Sequence, residues 1–197
     1  MLIFGAVLVW SGVNPKDLFT WFLEVLPALI GAFLMIMTYR TFRLTPLLYF
    51  FILVHSVILM VGGHYTYAEV PLFDWIKEVF DLERNNYDKL GHLAQGFVPA
   101  LLAREILIRK KVISTNVNTQ VWLNIFIISI CLAFSAFYEL IEWWVALASG
   151  LGAEAFLGTQ GDIWDTQSDM ATALVGAIMS ITILSAAHDR QLKNIHW

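Results

Sequence analysis

Five apolar stretches, at about 18–39, 44–63, 87–108, 120–148 and 168–187, are each long enough to cross a bilayer core of roughly 30 Å, and this recurrence constrains the fold more than any motif. A weaker stretch at 2–12 brings the expected number of spans to about six. Lipid supplies no hydrogen-bond partners, so segments of this kind satisfy their backbone internally and form helices. The composition agrees: 58% of the 197 residues are hydrophobic and only 14% are charged, too apolar for a soluble domain. The expected fold is an all-α polytopic membrane helix bundle, one transmembrane domain over 1–197.

Lysine and arginine set the expected orientation. Arg40, Arg43, Arg104, Arg109, Lys110, Lys111, Arg190 and Lys193 fall at one set of span ends, against Lys16, Lys77, Arg84 and Lys89 at the other. By the positive-inside rule this puts both termini in the cytoplasm and the acidic loops outside. Between the third and fourth spans, Leu72, Trp75, Ile76, Val79 and Phe80 recur at helical spacing, with Asp74, Lys77, Glu78 and Asp81 opposite, which predicts an interfacial helix on the outer surface. A second outward loop over 150–161 carries Gly150, Gly152, Gly158 and Gly161, suited to tight turns. Met1–Val13 lacks a basic leader and a small-residue cleavage site, so it reads as a short retained helix. Cys131 lies alone in an apolar run and reads as a core residue. With no basic stripe, nucleic acid is set aside as a partner.

Three polar stretches reach the outward side. Asp88, His92 and Gln95 share a face at the start of the fourth span; Glu139 and Glu142 lie one turn apart near the end of the fifth; and Asp162, Asp165 and Asp169 precede the last. A helix starting near Asp162 would project all three of those aspartates from one face. An ionised carboxylate at the bilayer centre costs roughly 2.5–3.5 kcal/mol on insertion scales, so such groups need a reason to be there. Several carboxylates in one pocket must share protons, pair with cations or bind a metal.

The metal solution makes Asp88, His92, Asp162, Asp165 and Asp169 candidate ligands of a divalent ion, with Mg²⁺, Mn²⁺, Ca²⁺ and Zn²⁺ all compatible with oxygen donors and one imidazole. Glu139, Glu142 and His92 are then the candidate acid–base groups. Lys89, Gln95, Trp143 and Trp164 are candidate substrate contacts, the tryptophans being interfacial anchors first. The bland alternative is a hydrogen-bonded brace in which the carboxylates share protons. For His92 alone, the simplest reading is a neutral core imidazole bonded to Asp88. Glu24 and His55 read as interhelical polar contacts, while His64 and Tyr65 begin the outer loop within possible reach of the site.

The blocks NNYDKLGHLAQGFVPALLAREIL, FSAFYELIEWW and FLGTQGDIWDTQSDMATALVGA, with TPLLYF and GGHYTYAEVPL, resemble the YjdF family of bacterial inner-membrane proteins, and more remotely the VanZ-like group. The resemblance implies a multipass protein of the inner (cytoplasmic) membrane and brings no reaction with it. The CDP-alcohol phosphotransferases also place several aspartates on membrane helices, but the Asp-Gly and Ala-Arg elements expected between theirs are missing around Asp162, Asp165 and Asp169, so only the chemical analogy holds.

Three readings follow. The first is an enzyme, a metal-dependent hydrolase or transferase acting on a membrane lipid or lipid-linked envelope substrate. The second is a proton- or cation-coupled transporter, in which Glu139, Glu142, His92 and Asp169 exchange protons. It calls for acids continuing toward the cytoplasm, where the last three spans offer only Arg104 and Glu105. The third is a non-catalytic protein whose carboxylate cluster ties helices together.

Overall fold

The computed structural model describes residues 1–113, 117–149 and 159–195, and every regular element among them is a helix. In chain order these are α1 (Leu2–Gly12), α2 (Leu18–Thr38), α3 (Pro46–Tyr65), α4 (Pro71–Val79), α5 (Tyr87–Arg109), α6 (Val117–Ser149) and α7 (Asp165–Leu192). Local chemistry sets several of these limits. Asp17 caps α2, its carboxylate accepting the Thr20 N–H at 2.6 Å. That bond holds the Asp17 carboxyl below its ordinary range. Thr45 caps α3, which opens with Pro46, a residue whose missing N–H costs nothing in the first turn. Pro27 does not interrupt α2, which continues through it.

Four of these helices, α2, α3, α6 and α7, are long and apolar enough to cross a membrane. The expectation of about six spans divides accordingly. With 11 residues, α1 rises only about 16 Å, roughly half a bilayer core. With 23 residues, α5 has the length to span, but Asp88, Lys89, His92, Gln95, Arg104 and Glu105 dilute its apolar character. Burial resolves the apparent conflict. Helix α5 packs against α3, α6 and α7, so its polar groups face protein. On the far side of α3 lie α1 and α2.

The closest helix pair is α5 with α7, and two glycines permit it. A Cβ on Gly96 would overlap the carbonyl oxygen of Ala173, and one on Gly176 would overlap the carbonyl oxygen of Leu93. Small residues that let backbones touch are the means by which membrane helices associate tightly. Beside this contact, Ala100, Ala103, Leu123, Ile127, Cys131, Ala177 and Ile181 form the core shared by α5, α6 and α7. Cys131 is buried within it.

Helix α4 bears out the amphipathic pattern. Leu72, Trp75, Val79 and Phe80 are exposed, and Asn85 fixes the helix from behind by donating to Asp74 at 2.8 Å and to the Val70 carbonyl at 3.1 Å. Of the glycine-rich outer loop, Gly150, Gly152 and Gly158 lie outside the described residues, while Gly161 adopts φ 87°, a conformation that favours glycine.

Replacing Gly96 by Ala is expected to force α5 and α7 apart, at a cost of about 1–3 kcal/mol or more. Gly31→Ala, where an added Cβ meets nothing within 4 Å, is expected to be neutral or to stabilise by up to about 1 kcal/mol. Thermal unfolding of the two variants in detergent checks the contrast.

Candidate membrane-embedded carboxylate site

The α5–α7 contact sets the first turns of both helices side by side, and α6 adds its C-terminal half. Helix α7 begins at Asp165, not near Asp162, so the expected three-aspartate face holds only for Asp165 and Asp169. Asp162 lies in the preceding turn, where its carboxylate accepts the Trp164 N–H at 2.8 Å. A turn at Gln160 and Gly161, both with positive φ, starts the helix later than the acid pattern alone suggests.

Two cations hold the aspartates together. The Arg84 guanidinium donates to Asp88, to Asp165 at 2.6 Å and, more weakly, to Asp162 at 3.4 Å. The Lys89 ammonium donates to Asp165 at 3.0 Å, Asp169 at 2.7 Å and the Ser168 hydroxyl at 2.6 Å. Arg84 lies just before α5, one turn from Asp88, so the i, i+4 spacing is its sequence signal. Burial disfavours the Arg84 charge, yet the Asp165 hydrogen bond and the neighbouring aspartates outweigh that and raise its pKa.

A second group lies beside this network. His92 Nδ1 is 2.9 Å from Gln95 Oε1, His92 Nε2 is 3.6 Å from Asp169 Oδ2, and Glu139 Oε1 is 3.8 Å from His92 Nδ1. One donor atom from each of His92, Glu139 and Asp169 lies within 4.8 Å of the other two; Asp88, Asp165 and Asp169 form a second such triad. Glu139, Glu142, Trp143, Thr159, Asp165 and Thr166 line a cavity of about 100 Å³ at this level. Trp143 contributes one wall while exposing 54% of its surface; Trp164, 64% exposed, does not line the cavity.

The polar interior extends to α2, which local sequence did not reveal. Glu24 is buried and lies against Tyr67 and Tyr138, the latter adjacent to Glu139. It is an interhelical contact, as expected, but one joined to the site; its partners lie too far along the chain for any spacing rule to find. His64 is held elsewhere, its Nδ1 2.9 Å from the Ser11 carbonyl and its ring 4.7 Å from that of Trp10.

A separate network closes the other end of the α5–α7 pair. Glu105, fully buried, accepts from Thr45 Oγ1 at 2.8 Å, Arg109 at 2.8 Å and His188 Nε2 at 3.0 Å. Arg104 contacts His188 Nδ1 at 3.1 Å and donates to Asp189 at 2.7 Å. A guanidinium can only donate, so His188 Nδ1 accepts and its Nε2–H donates to Glu105. His188 was invisible to motif reasoning because it falls within the apparently exposed tail of the last span.

An all-helical multipass membrane protein with buried ionic networks at the two ends of a central helix pair is the class these features define. The comparisons agree. Residues 1–190 match the model of a family described as a predicted membrane protein (DUF2238). The chain is 51% identical over 187 residues to the inner membrane protein YjdF of Escherichia coli (strain K12), covering 95% of this chain and 88% of that protein. The chain belongs to this family. No solved structure matches it.

Removing one partner of a buried pair leaves an uncompensated charge. Arg84→Ala and Glu105→Ala are each expected to destabilise the detergent-solubilised protein by up to about 3–5 kcal/mol. Arg84→Lys is expected to recover part of the loss, since an ammonium cannot reproduce the forked contacts to Asp88 and Asp165. Chemical denaturation of the three variants provides the check.

Proposed function

We propose that the protein is a membrane-embedded hydrolase or transferase acting on a lipid or lipid-linked envelope substrate, assisted by a divalent metal within the cluster of Asp88, His92, Asp162, Asp165 and Asp169. The observation that carries this reading is the Glu139 carboxylate. Its Oε1 is buried without a hydrogen-bond partner, beside an imidazole and at the wall of a cavity. A carboxylate kept available in this way suits a general base, with Glu142 one turn further along the same cavity wall. Lys89 and Arg84 are the cations nearest an arriving anionic headgroup, though both are engaged by the aspartates, and Trp143 offers an apolar wall. By the distribution of Lys and Arg, the site faces the outer leaflet and both termini the cytoplasm.

Transport is the second reading, favoured by the Glu24, Tyr67 and Tyr138 contacts that lengthen the polar interior. Against it stands the apolar layer between the two networks. Gly96, Val98, Ala100, Leu101 and Ala103 on α5 and Ala173, Ala177 and Ile181 on α7 are buried there, and the two helices touch.

Purified protein in mixed micelles with polyisoprenyl diphosphates and glycerophospholipids is expected to release a headgroup product detectable by mass spectrometry. Glu139→Gln, folded as judged by its melting temperature, is expected to lower turnover at least about 100-fold, the range of a lost general base. Site-dependent ion or solute flux in proteoliposomes, with no product from any lipid, would put transport in place of this reading.

A further inference from the structure

The cluster contains two kinds of carboxylate. Asp88 and Asp165 are engaged by Arg84, and Lys89 adds a second cation to Asp165. Asp169 differs, because Lys89 takes Oδ1 and leaves Oδ2 facing the His92 ring. Glu139 differs too. The side chain is more than nine-tenths buried, Thr166 reaches its carboxylate, and Oε1 is without a hydrogen-bond partner on the His92 side.

The tautomer of His92 follows from its neighbour. Gln95 Oε1 can only accept, so the bond at 2.9 Å requires a proton on His92 Nδ1. In the neutral ring the remaining lone pair is on Nε2, and it faces Asp169 Oδ2 at 3.6 Å. Two lone-pair-bearing atoms face each other there, too far apart for a hydrogen bond through a shared proton, which leaves room for a cation between them. For His92 Nε2 and Asp169 Oδ2 the spacing suits a metal; Glu139 Oε1, which stands 3.8 Å from Nδ1, has to turn toward Nε2 to join them. Ligands about 2.0–2.1 Å from a tetrahedral ion stand about 3.3–3.5 Å from one another. The Gln95 bond is also the outer-shell contact that orients a metal-bound histidine.

We infer that His92 Nε2, Asp169 Oδ2 and a Glu139 carboxylate oxygen are the protein ligands of one divalent transition-series cation, of the Zn²⁺, Mn²⁺ or Fe²⁺ type. Gln95 is the residue that positions His92. Asp88 and Asp165 belong to the ion-paired wall around this centre and are not ligands. An imidazole among the donors favours these ions over Mg²⁺ and Ca²⁺, which prefer all-oxygen sites. Three protein ligands leave coordination positions open to water or substrate, the arrangement of catalytic metal sites. The inference rests on the metal-assisted reading above and revises its ligand set: His92 and Asp169 stay, Glu139 enters, and Asp88, Asp162 and Asp165 leave. It also recasts Glu139 as a ligand, leaving Glu142 as the carboxylate free to act as base.

The test is metal binding by the full chain in detergent micelles, read without any substrate. Apo protein titrated with Co²⁺, then with Zn²⁺ in competition, is expected to take up one equivalent and give a tetrahedral ligand-field spectrum. Pulsed electron resonance of the Mn²⁺ form is expected to show one imidazole nitrogen, a readout that needs no variant. His92→Asn and Glu139→Gln are expected to abolish stoichiometric uptake, Gln95→Leu to weaken it about 10–100-fold, and Asp88→Asn to retain it. Uptake kept by His92→Asn and Glu139→Gln but lost in Asp88→Asn would overturn the ligand set while leaving a metal-assisted enzyme standing. Absence of Co²⁺ and Zn²⁺ uptake by the wild-type chain would overturn the inference outright. Lipid turnover that persists in excess chelator would then remove the metal from the proposed function, whereas loss of turnover with metal still bound would count against the enzyme alone.

Discussion

Both buried ionic networks in this molecule depend on the touching backbones of α5 and α7. With Gly96 against the Ala173 carbonyl and Gly176 against that of Leu93, the two helices lie close enough for side chains one to three turns away to meet directly. At one end Lys89 reaches Asp165 and Asp169; at the other Glu105 reaches His188. Neither contact requires a long side chain to extend through lipid. A helix pair held apart by larger residues would leave each of these groups exposed to hydrocarbon, where unsatisfied charge is expensive. The tight apolar middle and the two ionic ends are therefore one design, in which dispersion and small residues fix the geometry and charge fills the ends.

The two ends are satisfied differently. Around Glu105 each principal group has a partner of opposite character, and the ring of contacts closes with His188 accepting from Arg104 and donating to Glu105. Around Asp169 the matching is incomplete: Arg84 and Lys89 face four aspartates, and Glu139 adds another carboxylate nearby. A closed network rigidifies, whereas an electrically incomplete one attracts protons, metal ions or cationic groups. The contrast within one helix pair is a stronger pointer to function than the number of acids, because structural bracing needs only the first kind.

Much of this was legible in the sequence. Hydropathy located the long helices to within a few residues, and the spacing of Leu72, Trp75, Val79 and Phe80 identified α4. The blocks around Asp88, Glu139 and Asp165 carried the family resemblance, which the match over residues 1–190 bears out. What the sequence withheld was depth and pairing. Hydropathy set α5 among the full spans and α1 as the weak one, yet α5 is too polar to face lipid, and only packing shows it to be central. The start of α7 depends on a turn at Gln160 and Gly161, not on the acid spacing that suggested Asp162. Glu24 with Tyr138, and Glu105 with His188, are contacts between residues distant along the chain. No local rule reports them.

The buried position of α5 also bears on how the chain is made. Asp88, Lys89, Arg104 and Glu105 leave the ribosome well before Asp165, Asp169, His188 and Asp189, which supply much of their compensation. For that interval α5 is a poor membrane segment in its own right, lacking the last helix that makes its charges tolerable. Insertion of this protein is thus a cooperative event completed by its final span. Until α7 is present, a helix as polar as α5 favours the headgroup region over the hydrocarbon.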